Sequence, residues 1–214
     1  MSEDWIVLIV IIVLIIALLV WGVGQYNALV VLRNRVKNGW AQTDVQLKKR
    51  ADLVPNLVAT VKGYAQHESS VFEEVTKARA SVLNSYNASQ AAGGESPFAS
   101  SSAADAPSAE QLQARAAAEA AFGRAIVNVL ATAENYPQLQ ANQNFLDLQA
   151  QLKQLEDKIG YARQFYNDVV MKYNTQQEVF PSNIIAGLFH FQQAQSFEVT
   201  DQADRQAPKV DFGA

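Results

Sequence analysis

The sequence predicts an all-α protein in which an N-terminal single transmembrane helix continues into an antiparallel up-down four-helix bundle with long coiled-coil-like helices. Three observations carry this. Every residue from Trp5 to Val23 is apolar; apolar positions then recur at steps of three and four along four later stretches, with no strand-like alternation. Glycine and proline are few, 10 and 6 in 214 residues, whereas Ala, Gln, Leu and Val abound, which favours helix.

The first element is the anchor. At ~1.5 Å rise per residue, an unbroken apolar run of this length crosses the ~30 Å of bilayer hydrocarbon. Its flanks argue against a cleaved secretory signal: Glu3 and Asp4 stand where a basic region would, the apolar core is too long, and Gly22 and Gly24 only weakly resemble a cleavage site. Trp5 and Trp21 would lie ~24 Å apart along the axis, suiting the two interfacial aromatic belts, with Tyr26 just beyond. Arg33, Arg35 and Lys37 follow the run and no base precedes it, so the positive-inside tendency puts the N-terminus outside and the rest in the cytoplasm. The expected organisation is a short extracytoplasmic tail 1–4, a transmembrane helix 5–24, a cytoplasmic helical bundle 25–191 and a polar tail 192–214.

Helix one continues from the anchor, with Tyr26, Leu29 or Val30, Val36, Trp40 and Leu47 on one face. At Ala51-Asp52-Leu53-Val54-Pro55 the proline predicts a reversal into a second helix; a kink in one long rod is the alternative. Helix two is expected from Pro55 to Tyr86, striped by Val58, Val61, Ala65, Phe72, Val75 and Val82. Residues 87–108, rich in Ala, Ser and Gly and without a period, read as a flexible linker. Ser108 with Gln111 forms a capping box opening an Ala-rich helix three that ends at Tyr136-Pro137. Helix four has the strongest period: Phe145, Leu148, Leu152, Leu155, Ile159, Ala162, Tyr166, Val169, Tyr173, Gln176 and Phe180 alternate such steps up to Pro181. At ~60 Å against ~40 to ~47 Å for the others, it should overshoot toward the bilayer.

It would deliver there an apolar stretch, 179–191, too short to span. Ile184, Ile185, Leu188, Phe189 and Phe191 either plug the membrane-proximal end of the core or lie in the headgroup region. Both readings stand.

Chemistry is sparse. Net charge is −4 with signs mixed, which gives no footprint for nucleic acid. Cysteine is absent, excluding disulfides, thiol catalysis and cysteine-ligated zinc. The histidines are His67 and His190; His67-Glu68 begins a zinc-protease motif, but Val71 stands where its second histidine belongs. The expectation is therefore no catalytic residue, no cofactor and no metal, hence no enzyme. Lys48-Lys49-Arg50 is either a docking surface for an acidic partner or a basic cluster placed to meet the C-terminal dipole of helix one. The pairs Tyr26-Asn27, Tyr86-Asn87, Tyr166-Asn167 and Tyr173-Asn174 read as packing with buried hydrogen bonds.

The segments DVQLKKRADLVPNLVATVKGYAQHE (Asp44 to Glu68), YNALV (Tyr26 to Val30), NYPQLQANQNFLDLQAQL (Asn135 to Leu152), YNDVVMKYNT (Tyr166 to Thr175) and FPSNIIAGLF (Phe180 to Phe189), with the terminal APKVDF, resemble the LemA family. The similarity spans nearly the whole chain except the linker. It implies a bacterial single-pass protein of the inner (plasma) membrane with a helical cytoplasmic domain, no established catalysis, and links to membrane organisation, magnetosome compartments and membrane-proteolysis neighbours. The functional expectation is a membrane-anchored scaffold or adaptor. Its partners would be membrane lipids through the anchor, a second copy (aided by Gly24-x-x-x-Ala28), or a membrane protein or protease; the alternatives are lipid binding or membrane remodelling through 179–191 and regulation of a membrane protease.

Overall fold

The computed structural model describes residues 2–92 and 108–197. These form α1 (Ser2–Lys62), α2 (Ser69–Ala92), α3 (Ala109–Glu134), the short α4 (Pro137–Gln140), α5 (Gln143–Glu178) and α6 (Ser182–Leu188), and no strand occurs among them. The chain divides into two compact units. The first holds α1 up to Gln46 and the chain from Ile159 to Ser196; the second holds the remainder of α1, with α2, α3, α4 and α5 up to Lys158.

In the first unit, residues Trp5–Val23 of α1 are exposed or nearly so over their whole circumference, the surface expected of a helix meant for lipid. Beyond them one face turns inward, through Leu29, Val36, Gly39 and Thr43. Gln176 of α5 donates to Gln25 Oε1 at 3.1 Å, while a Cβ placed on Gly39 would stand 3.4 Å from Tyr166 Cα and 3.3 Å from Val169 Cγ2. Sequence number thus rises along α1 as it falls along α5, and Gly39 admits the α5 backbone where a larger residue would hold it off. α5, longer than α2 and α3, reaches as far as Gln25, just past the apolar run.

The second unit has an apolar core. Ala51, Val54, Leu57 and Val61 of α1 meet Phe72, Val75 and Val82 of α2, Phe122, Ile126 and Val129 of α3, Leu139 of α4, and Phe145 and Leu152 of α5. The predicted capping box of α3 is present: Gln111 N–H donates to Ser108 Oγ at 3.2 Å and Ser108 N–H to Gln111 Oε1 at 2.9 Å. Asn142 caps α5 through its Oδ1, which accepts from Phe145 N–H at 3.2 Å.

The reversal expected at Pro55 is overturned. α1 runs through it to Lys62, and the chain turns instead at Gly63–Glu68, where Ala65 N–H bonds Val61 O at 2.9 Å. Proline removes the N–H that would have bonded the Ala51 carbonyl. That carbonyl is satisfied from outside the helix: Arg79 Nε of α2 donates to Ala51 O at 2.7 Å. Helix two is accordingly shorter at its start, and it continues to Ala92, so 87–92 of the expected linker are helical; 93–107 lie outside the described residues. The tail beyond Phe197 lies outside them too.

Candidate functional site

The residues singled out in 179–191 gather against the end of the apolar run. α5 ends at Glu178, and the chain bends through a cis Phe180–Pro181 bond into α6. The bend is closed by Ser182, whose buried Oγ donates to Gln176 O (2.5 Å) or Val179 O (3.0 Å); Val179 O also accepts from Asn183 N–H at 3.0 Å. At the far end of α6, Phe191 N–H bonds Ala186 O at 2.9 Å and His190 N–H bonds Gly187 O at 3.2 Å, a Schellman closure with His190 in the left-handed region at φ 53°. This turn folds Phe191 back onto α1. Tyr26 meets Phe189 with ring centroids 4.8 Å apart and Phe191 at 5.7 Å, and the Arg33 guanidinium lies 5.5 Å from the Phe191 ring.

These residues divide into two faces. Ser182 and Ala186 are buried and Ile185 is half-buried, its Cδ1 lying 3.7 Å from where a Cβ on Gly22 would stand. Phe180, Leu188 and Ile184 lie exposed, at 79 %, 67 % and 57 %, while Phe189, stacked on Tyr26, keeps 53 % of its surface open. Phe180, expected as the last core position of the α5 seam, is thus corrected to a surface residue, because the seam ends with the helix two residues before it. Trp5 and Trp21 stand at the surface of the anchor, whereas Tyr26 is half-covered by the two phenylalanines.

The start of the expected polar tail is tied down. Asn174 uses both halves of its amide on Ala194: Oδ1 accepts from Ala194 N–H at 2.9 Å and Nδ2 donates to Ala194 O at 2.8 Å. Tyr166 O–H donates to Gln195 O at 2.8 Å, and its buried ring packs edge-on to Trp40 with centroids 5.5 Å apart. Residues 192–195 therefore lie as a strap along α5. Burial pushes the Tyr166 phenol up to about 12; burial also raises Tyr173, opposed by Arg33. Sequence reasoning missed the strap, although the Tyr-Asn pairs marked its anchoring points.

In the second unit the basic cluster separates. Lys48 is exposed and pairs with Asp52 at 3.2 Å, and Lys49 is exposed. Arg50 is buried: it forms a very short ion pair with Glu119, bonds Glu156 Oε1 at 2.8 Å, and lies 5.5 Å from the Phe122 ring. Burial works to lower its pKa, but the two carboxylates outweigh this and hold it above its ordinary value. Arg50 is thus removed from the expected docking surface, and the cluster does not sit at a helix end, since α1 continues to Lys62. Beside this trio a cavity of about 730 Å³ opens between α3 and α5, walled by Gly123, Ile126, Val127, Leu130, Leu146 and Ala150, with Lys153 and Glu156 at its polar side. His67 lies exposed in the α1–α2 turn. Among the described residues no group of three or more His, Asp or Glu side chains is placed to hold a metal ion.

Comparison with known proteins places this architecture. Two magnetosome proteins of Paramagnetospirillum magneticum (strain ATCC 700264 / AMB-1), MamQ 1 and MamQ 2, are each 24 % identical over 196 residues, covering 84 % of this chain and 67 % of theirs. MamQ of Magnetospirillum gryphiswaldense (strain DSM 6361 / JCM 21280 / NBRC 15271 / MSR-1) is 23 % identical over the same shares. The LemA family profile matches residues 39–212, which takes in the Arg50 trio, the α5 seam, α6 and the strap. With one long apolar N-terminal helix and an otherwise helical body, the chain belongs to the LemA family.

Proposed function

We propose that this protein is a non-enzymatic, membrane-anchored helical scaffold or adaptor, working through self-association or partner docking at the cytoplasmic face of a bacterial membrane. The observation that carries the reading is the exposed apolar run of α1 continuing without a break into helix that packs in both units. A body built on the anchor's own helix is held at the membrane by its backbone rather than by a loose linker. The opposed contact orders of α1 with α5 and of α2 with α3 (Glu74 with Asn128, Tyr86 with Arg115) support an antiparallel bundle. The groove between α3 and α5, with Val127 and Leu146 exposed along it, and the exposed Lys48 and Lys49 are the surfaces a partner or second copy would use. The relatives are named as magnetosome proteins and not as enzymes, which is in keeping with this reading.

Cross-linking mass spectrometry of the full chain in native membranes, paired with sedimentation of the detergent-solubilised protein, tests this. The expected result is links from Lys48, Lys49 or Lys153 to a second copy or a membrane partner. A protein that is strictly monomeric at high concentration and yields only internal links contradicts it. For orientation, periplasm-active and cytoplasm-active reporters fused to each end should show the N-terminus outside; the opposite pattern refutes that part.

A further inference from the structure

We propose that the outward face of α6 and its N-terminal flank, Ile184, Leu188 and Phe180, seats in the headgroup–acyl boundary of the bilayer that the anchor crosses, as a second, interfacial contact. This deepens the proposed function and rests on its reading of Trp5–Val23 as a membrane span.

Height along α1 identifies the occupant. Ile185 packs at Gly22 and Phe189 packs on Tyr26, and these two α1 positions bracket Val23, the last residue of the apolar run. If the run spans hydrocarbon, α6 stands at its edge, where a side chain pointing away from the protein meets headgroups and the first methylenes of the acyl chains instead of bulk water. Ile184 and Leu188, one helical turn apart on the same face, point that way, and Phe180 is exposed beside them. In water they would form an unpaired apolar patch; at this height they are solvated by lipid.

The segment is built for such a place. Residues 179–191 contain no Asp, Glu, Lys or Arg, so no formal charge has to enter the boundary. Carbonyls at both ends have partners: Gln176 O and Val179 O through Ser182 and Asn183, and Ala186 O and Gly187 O through the Schellman closure. Unpaired carbonyls at that depth would be costly. Tyr26, Phe191 and Arg33 clamp the inner side, so the outer face is presented on a fixed platform. A span alone leaves the first unit free to rotate about the α1 axis. A second contact beside it sets that rotation, and with it which face of α1 and α5 turns to the membrane.

Because the chain has no cysteine, single-cysteine labelling has no background. Full-length Ile184→Cys and Leu188→Cys, each carrying a nitroxide, are reconstituted in phosphatidylcholine/phosphatidylglycerol vesicles, with Ile12→Cys as the span control and Lys172→Cys on the exposed side of α5 as the aqueous control. Power saturation reads collision with oxygen against collision with a water-soluble nickel chelate. The expected result is an oxygen-to-nickel ratio at 184 and 188 several-fold above that at 172 and approaching that at 12. Ratios at 184 and 188 equal to that at 172, with 12 still lipid-like, overturn the interfacial contact while leaving the anchor intact. An aqueous reading at 12 as well overturns the underlying span. Strong dipolar broadening between labels at 188 assigns the face to a second copy and overturns the proposal as stated.

Discussion

The two units are held together by different physics. The second closes around aliphatic and phenylalanine side chains from five helices and buries an arginine between two glutamates. The first has few buried aliphatic residues; aromatic stacking and side chains that grip backbone do the joining, through Tyr26, Tyr166, Asn174 and Ser182. Its apolar surface is spent outward, on the anchor and the face of α6. A region whose apolar residues face outward has fewer left for its own core and depends more on directional bonds. This difference separates the consequences of substitutions.

The largest effect is expected at Glu119→Ala, which leaves the Arg50 charge buried with only the half-exposed Glu156. The expected loss is about 3–5 kcal/mol of stability, with amide exchange accelerated in α2 and α3 and largely unchanged in Ile159–Ser196. Adding Arg50→Met should recover most of it. A loss shared equally by both units would break the comparison.

Alkaline pH should act on the first unit instead. The phenol of Tyr166, held at about 12 in the fold, ionises near ~10 in the unfolded chain. Its folded pKa is raised, so its contribution is intact below pH ~10 and is lost as pH climbs from ~10 to ~12, at about 1.4 kcal/mol per unit. Chemical denaturation across that range measures it. The variant Tyr166→Phe should show a shallower decline; an identical decline would show that Tyr166 does not carry the dependence.

Asn174→Ala removes both bonds to Ala194, at about 1 kcal/mol each. Exchange at the Ala194 amide should rise at least tenfold while α3 stays protected. Smallest is Ser108→Ala, which should cost about 1 kcal/mol through the lost cap of α3, visible as fraying of its first turn and as no change in the strap.

Much of this was legible beforehand. The anchor run, the α3 capping box and the α5 seam from Phe145 to Tyr173 each rest on local pattern, and local pattern suffices for a helix and its buried face. At Pro55 the sequence pointed to a reversal that the structure does not make. Leu47, Ala51, Val54, Leu57 or Val58, Val61 and Ala65 keep the α1 phase across the proline, and phase outweighed proline because Arg79 could supply the missing donor. That rescue joins residues far apart in sequence and leaves no local mark. Burial of Arg50 was hidden for the same reason, since Glu119 and Glu156 lie on other helices. At the candidate site, composition identified 179–191, but its division into an inner and an outer face depends on the bend closed by Ser182 and on the turn at His190.

The central claim is that α1 fixes the helical body to a bilayer as an integral part of it. Washing membranes from cells expressing the full chain with alkaline carbonate, and following the protein between pellet and wash, tests it most directly. The account predicts recovery in the pellet with the lipid; release into the wash would contradict it.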